Sequence, residues 1–251
     1  MGYVIAMAGK GGTGKTTIAA LIARIIIEKR LKSLLVIDAD PNSNLGELLG
    51  INAPESIGSV LDDLREHPEN LPGNMPKERF IELKVQGAIY EAKGFDLLVM
   101  GKPEGPGCYC YVNNVLRSVM SKLINNYDYV IIDNEAGLEH LSRKTTRSAD
   151  ALVVVSDSSI VGLNSAGRII DLVNSLKIQF KKSFLLINRA QTDIIENKIP
   201  AKQWVYLGVL KHDLLVEKLS LSGEPITGLD SQAKILNELK KIGERIWSCS
   251  Q

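Results

Sequence analysis

The octapeptide Gly9-Lys10-Gly11-Gly12-Thr13-Gly14-Lys15-Thr16 lies between an apolar run, Tyr3–Ala8, and a stretch with apolar residues at helical spacing, Lys15–Lys29. Glycines at 9, 11, 12 and 14 suit neither a strand nor a helix interior. The chain must leave a strand, turn sharply and enter a helix, which is the opening half of a βαβ unit. Downstream, short β-branched runs keep alternating with helical patterns, as a mainly parallel sheet requires. Strands are expected at Tyr3–Ala8, Leu34–Asp38, Phe95–Met100, Tyr129–Asp133, Ala151–Ser156, Phe184–Asn188 and Val205–Leu210. Their near-continuous apolar character calls for helices on both faces of a doubly wound sheet. Those helices are expected at Lys15–Lys29, Tyr111–Ile124, Leu163–Leu176 and Ala233–Trp247. In the last of them Ile235, Leu239, Ile242 and Ile246 have the spacing of a face packed on the sheet. The polar stretch Asn52–Gly94 reads as loops with one short helix near Ile57–Arg65. No linker separates two alternating patterns, so residues 1–251 read as a single α/β domain.

Composition narrows the function classes. A net charge of +1 supplies no surface for nucleic acid or for an anionic membrane, and neither is expected as a partner. The apolar run Leu21–Ile27 is too short to span a bilayer and is interrupted by Arg24. No basic–apolar–small leader precedes the loop, and three cysteines make no disulfide framework, so a cytoplasmic setting is expected.

The octapeptide fits G-x-x-x-x-G-K-[ST] at every fixed position. In such a loop successive backbone N–H groups converge on phosphate oxygens, and the following helix adds the positive end of its dipole. Lys15 supplies a point charge to the β- and γ-phosphates, and Thr16 can ligate magnesium. A glycine-rich turn matching by accident would lack the strand before it and the helix after it.

Lys10, directly after the first glycine, gives the loop a second lysine. K-G-G-T-G-K-T resembles the signature of the deviant-Walker ATPases, the P-loop NTPases that include the MinD/ParA partition proteins, the nitrogenase iron protein and metal-centre maturases. The resemblance implies a MinD-like fold of the SIMIBI class and ATP or ADP with Mg²⁺ held by Gly9–Thr16 and Thr17. It also implies a homodimer in which Lys10 reaches the partner's nucleotide. Leu35-Val36-Ile37-Asp38-Ala39-Asp40-Pro41 looks like switch I of that family, with Asp38 near magnesium and Asp40 orienting or activating the attacking water. Val130-Ile131-Ile132-Asp133 resembles the Walker B strand, whose Asp133 would hold the ion through water, and Asn134-Glu135-Ala136-Gly137 resembles switch II. The likeness assigns Lys10, Lys15 and Asp40 to catalysis. It assigns Asn188, with Arg189 beside it, to the adenine edge, and Leu210-Lys211-His212-Asp213 to a second base-contacting loop. All these motifs fall at carboxyl ends of expected strands, where open α/β sheets bind ligands.

The segment Gly101–Asn114 carries Cys108 and Cys110, separated by one residue. Two thiolates can share one soft metal ion, but a structural zinc wants four ligands and the chain offers no second pair. Two copies meeting on a twofold axis would give a tetrahedral set of four sulfurs; spacing alone leaves an inert pair equally open. G-P-G-C-Y-C-Y-V-N-N together with D-N-E-A-G-L-E-H resembles the CooC-type nickel-insertion ATPases. These mature carbon monoxide dehydrogenase, and near relatives serve acetyl-CoA synthase. That resemblance implies Ni²⁺ or Zn²⁺ bound by Cys108 and Cys110 between subunits, and one of those two enzymes as client. His67 reads as solvated and His212 as shaping the base loop, while His140 fits a supporting group near switch II and a capping or surface residue equally.

Two other functions compete with an ATP-driven metallochaperone. A MinD/ParA-like positioning ATPase would need a basic patch or tail, but Lys240, Lys241 and Arg245 are accompanied by Glu244 and few bulky anchors. An iron–sulfur electron-transfer ATPase would draw cluster ligands from a second segment next to switch II, and Asn134–His140 holds no cysteine.

Overall fold

A computed structural model describes residues 2–29, 32–42, 44–52, 55–101, 110–135, 148–191, 199–200 and 202–247. Their elements run β1 (Tyr3–Ala8), α1 (Lys15–Glu28), β2 (Leu34–Ala39), α2 (Leu45–Leu48), α3 (Ile57–Glu66), α4 (Lys77–Gly87), β3 (Tyr90–Ala92), β4 (Phe95–Val99) and α5 (Cys110–Ile124). They continue with β5 (Tyr129–Asn134), β6 (Ser148–Ser156), α6 (Ile160–Ser175), β7 (Gln179–Ala190), β8 (Val205–Lys211), α7 (Leu214–Ser222) and α8 (Lys234–Trp247).

The strands join in one sheet in the order β3-β4-β2-β5-β1-β6-β7-β8. Every pairing is parallel except β3 with β4. Central strands β1 and β2 are buried at every position, as their unbroken apolar sequences require when both faces are covered. Alternate residues then feed two separate cores. On one side Ile5, Met7 and Val36 pack with Ile18, Ile22 and Ile25 of α1 and with Leu236, Leu239 and Ile246 of α8. On the other, Ala6, Ile37 and Ile132 pack with residues of α3, α4, α5 and α6. Ile235, Leu239 and Ile246 are buried and Ile242 packs against them, so the apolar face of α8 belongs to the core.

The stretch 52–94 is more ordered than its polarity suggests. Besides α3 it forms α4, which buries Phe80, Ile81 and Val85, and the short antiparallel β3. Only a few of its apolar residues carry that burial, so the period is faint in the sequence. At the opposite edge, β8 pairs with β7 through two register shifts and carries Gly208 at φ 131°. Among the described residues no helix is long and apolar enough to cross a membrane.

Candidate functional site

The carboxyl ends of β1, β2, β5 and β7 converge on the octapeptide. Gly9 leaves β1 at φ 152°, and a Cβ there would collide with the Val155 carbonyl oxygen of neighbouring β6, so only glycine fits. Thr13 is buried and its Oγ1 donates to the Lys10 carbonyl at 2.8 Å, closing the turn. Gly14, at φ 88°, is the N-cap of α1 and offers no side-chain acceptor, so the first-turn N–H groups remain open to an anion. Lys15 is 7% exposed at the head of α1, while Lys10 is exposed. The two lysines are thus sorted by environment: one points its charge into the site and the other stands at its rim.

Asp38 and Asp133 are register partners on adjacent strands β2 and β5, and both are fully buried. Burial pushes the Asp133 carboxyl up to about 7, with the Asp38 charge adding to the rise and Thr16 and Lys15 opposing it. Neither Asp133 oxygen finds a hydrogen-bond partner among the described residues, the Thr16 hydroxyl being close enough only to ease its ionisation. Two buried carboxylates beside a hydroxyl, one wholly unpartnered, fit a divalent cation. Burial raises Asp38 to about 6, but its two oxygens accept the backbone N–H groups of Asp40 (3.1 Å) and Leu45 (2.9 Å). Asp38 therefore organises the turn that presents Asp40. Asp40 is half-buried, and its Oδ1 accepts from the backbone and side-chain amides of Asn42. Asn134 is fully buried and donates to the Met7 carbonyl at 2.9 Å.

Beside Thr17 and Ile18 of α1 opens a cavity of about 260 Å³, bordered by Asn188, Arg189, Lys211, His212 and Asp213. Asn188 does more than face it: its Nδ2 donates to the Thr13 carbonyl at 2.9 Å. Arg189, at φ 55°, donates from Nη1 to the Gly12 carbonyl at 3.2 Å. Asp213 caps α7 by accepting from Leu215 and Val216 N–H. The Leu210 side chain lies in the core and not in the cavity, so any contact of Leu210 with a base would run through its backbone. The sequence reading missed α7, whose Glu217 and Leu221 complete the cavity wall; Asp213 ahead of an apolar run was its N-cap signal. A larger cavity of about 1,090 Å³ lies at the amino ends of β1, β6 and β7, away from every motif and at the end where such sheets do not bind ligands.

Cys108, Ala136, Gly137 and His140 lie outside the described residues, and Cys110 is the first residue of α5. Among the described residues, which do not include Cys108, no group of three or more His, Cys, Asp or Glu side chains is placed to hold a metal ion.

Residues 2–186 match the AAA domain family AAA_31. An uncharacterised ATP-binding protein of Methanocaldococcus jannaschii is 38% identical over 248 residues, covering 97% of this chain and 98% of its own. The carbon monoxide dehydrogenase accessory protein CooC of Rhodospirillum rubrum is 30% identical over 193 residues, 70% of each chain. In fold, the chain is similar to the cell division ATPase MinD of Pyrococcus furiosus, with a TM-score of 0.69 at 22% identity over 99% of this chain and 100% of that one. Loop, carboxylate pair and relatives agree, and the chain belongs to the AAA_31 family as a deviant-Walker P-loop ATPase of the MinD/ParA class, related to CooC.

Proposed function

We propose that this chain is a dimerising maturation ATPase that hydrolyses ATP to ADP and phosphate while assisting nickel insertion into carbon monoxide dehydrogenase or acetyl-CoA synthase. The observation that carries this reading is the 30% identity to CooC across 70% of both chains. The Cys108–Cys110 pair adds to it, since α5 begins at Cys110 in the connection that follows β4.

In this reading the N–H groups of residues 11–16 and the Lys15 ammonium hold the triphosphate, and Asn188 meets the base in the cavity beside α1. Thr16 and Asp133 would hold magnesium, which neutralises charge on the β- and γ-phosphates when bound. Asp40 orients the water that attacks the γ-phosphorus. Lys10, exposed at the rim, reaches across to a second subunit's nucleotide, so that ATP and dimer closure favour each other. Nickel is the cargo, held between two copies of Cys108 and Cys110. The test is reconstitution: apo carbon monoxide dehydrogenase and apo acetyl-CoA synthase are each mixed with this protein, ATP and nickel, and assayed. ATP-dependent activation of one client supports the role. Activation equal to that by nickel alone in both would leave an ATPase with another task, such as the positioning role of MinD relatives.

A further inference from the structure

We propose that Asn188 and Arg189 are positioning residues that hold the phosphate loop in its anion-binding shape, so that the strand end bordering the base cavity also sets the phosphate geometry. This rests on reading the octapeptide as the nucleotide site. The loop satisfies part of its backbone internally: the Lys10 carbonyl accepts from Thr13 Oγ1 at 2.8 Å, and the Gly14 carbonyl accepts from Ile18 N–H at 2.9 Å. Of the three carbonyls between them, those of Gly12 and Thr13 are met from β7, by Arg189 Nη1 and Asn188 Nδ2.

The second of these bonds has the larger consequence. In a trans peptide the C=O of one residue and the N–H of the next point in opposite directions. Fixing the Thr13 carbonyl on buried Asn188 therefore turns the Gly14 N–H the other way, into the group of N–H donors that an anion needs. Gly14, at φ 88° and without a Cβ, leaves that peptide plane easy to flip, and a flipped plane would present a carbonyl to the phosphate. The amide of Asn188 stands where a Cβ on Gly14 would come within 2.5 Å of Nδ2, close enough to decide the orientation. Arg189 acts likewise on the Gly12–Thr13 plane, from a backbone conformation seldom adopted by residues other than glycine, asparagine and aspartate. Both side chains also border the cavity of about 260 Å³, so a ligand entering there acts on the same two groups.

A base-free probe separates holding the loop from reading the base. Magnesium tripolyphosphate and magnesium ATP are titrated by calorimetry into wild type, Asn188→Ala, Asn188→Asp, Arg189→Ala and Arg189→Lys, with thermal melting as the fold control. Loss of one buried hydrogen bond should weaken tripolyphosphate about tenfold in Asn188→Ala, and at least as much in Asn188→Asp, whose carboxylate cannot donate. Arg189→Ala should lose about threefold, because its bond is exposed, and Arg189→Lys, which keeps a donor, should recover most of it. Tripolyphosphate affinity unchanged in Asn188→Ala and Arg189→Ala, with ATP affinity reduced, would overturn the proposal and leave base reading alone. If Asn188→Ala does not fold, exposed Arg189 decides the matter by the same comparison. A wild type that binds neither ligand would remove the nucleotide site and this role together.

Discussion

Replacing Asp133 with asparagine should make the ligand-free protein more stable while removing its use for magnesium. The carboxyl is raised from 3.8 to about 7, chiefly by burial. A raised carboxyl pKa means that the folded state binds the proton more tightly than the unfolded state. The penalty is absent below pH 3.8, grows as pH climbs, and is complete above about 7. At 1.36 kcal/mol per unit, the interval to about 7 gives an upper bound of about 4 kcal/mol for the ionised group. An asparagine side chain would fill nearly the same volume without charge, and Asp38 beside it would also ionise more easily. At pH 8 the variant should therefore gain about 2–4 kcal/mol, or roughly 5–10 °C in Tm for a domain of this size. Near pH 4 the two proteins should melt together. Calorimetric melting in chelator at both pH values reads this directly, and titration of magnesium ATP at pH 8 should show the magnesium-dependent part of the affinity gone. A Tm difference equal at the two pH values, or a variant less stable at pH 8, would refute the burial argument.

Lys15→Ala should abolish nucleotide binding, since no backbone group replaces a buried phosphate charge; near-wild-type ATP affinity by calorimetry would contradict this. Asp40→Ala should bind ATP and dimerise but hydrolyse about 10²–10⁴-fold more slowly in a phosphate-release assay, and a normal rate would move the role to another residue. Lys10→Gln should keep the affinity of a single subunit yet fail to dimerise with ATP, whereas light scattering with a normal ATP-induced dimer would argue against a reach between subunits. Elemental analysis of gel-filtered protein should find one thiophilic ion per dimer, lost in Cys108→Ala and in Cys110→Ala; one ion per monomer would mean a site completed within the chain.

The parallel sheet and the loop were legible because their signals are local and strong. Short, β-branched apolar runs such as Val130–Ile132 suit strands covered on both faces, and the octapeptide is flanked by a strand and a helix. Asp38 and Asp133 each end such a run, which puts them at the carboxyl edge of the sheet, while the roles given to them and to Asp40 come from the family resemblance. Contacts made across the sheet were not legible. That Asn188 spends its amide on the Thr13 carbonyl depends on β7 and the loop lying side by side, 175 positions apart in the chain. The family resemblance puts Leu210 in a base loop, but the register shift in β8 beside Leu207 breaks the alternation and leaves both Leu207 and Leu210 in the same core. α4 escaped because Phe80, Ile81 and Val85 are too few to show a helical period.

The two ends of the sheet carry a further consequence. β3 is three residues long, antiparallel and bears Glu91, while β8 is broken in register against β7 and carries Gly208 at φ 131°. Neither offers a long, flat row of unpaired backbone groups for another chain to extend. Strand-to-strand accretion, a route from an open sheet to insoluble fibres, is thereby blunted at both margins of the described sheet.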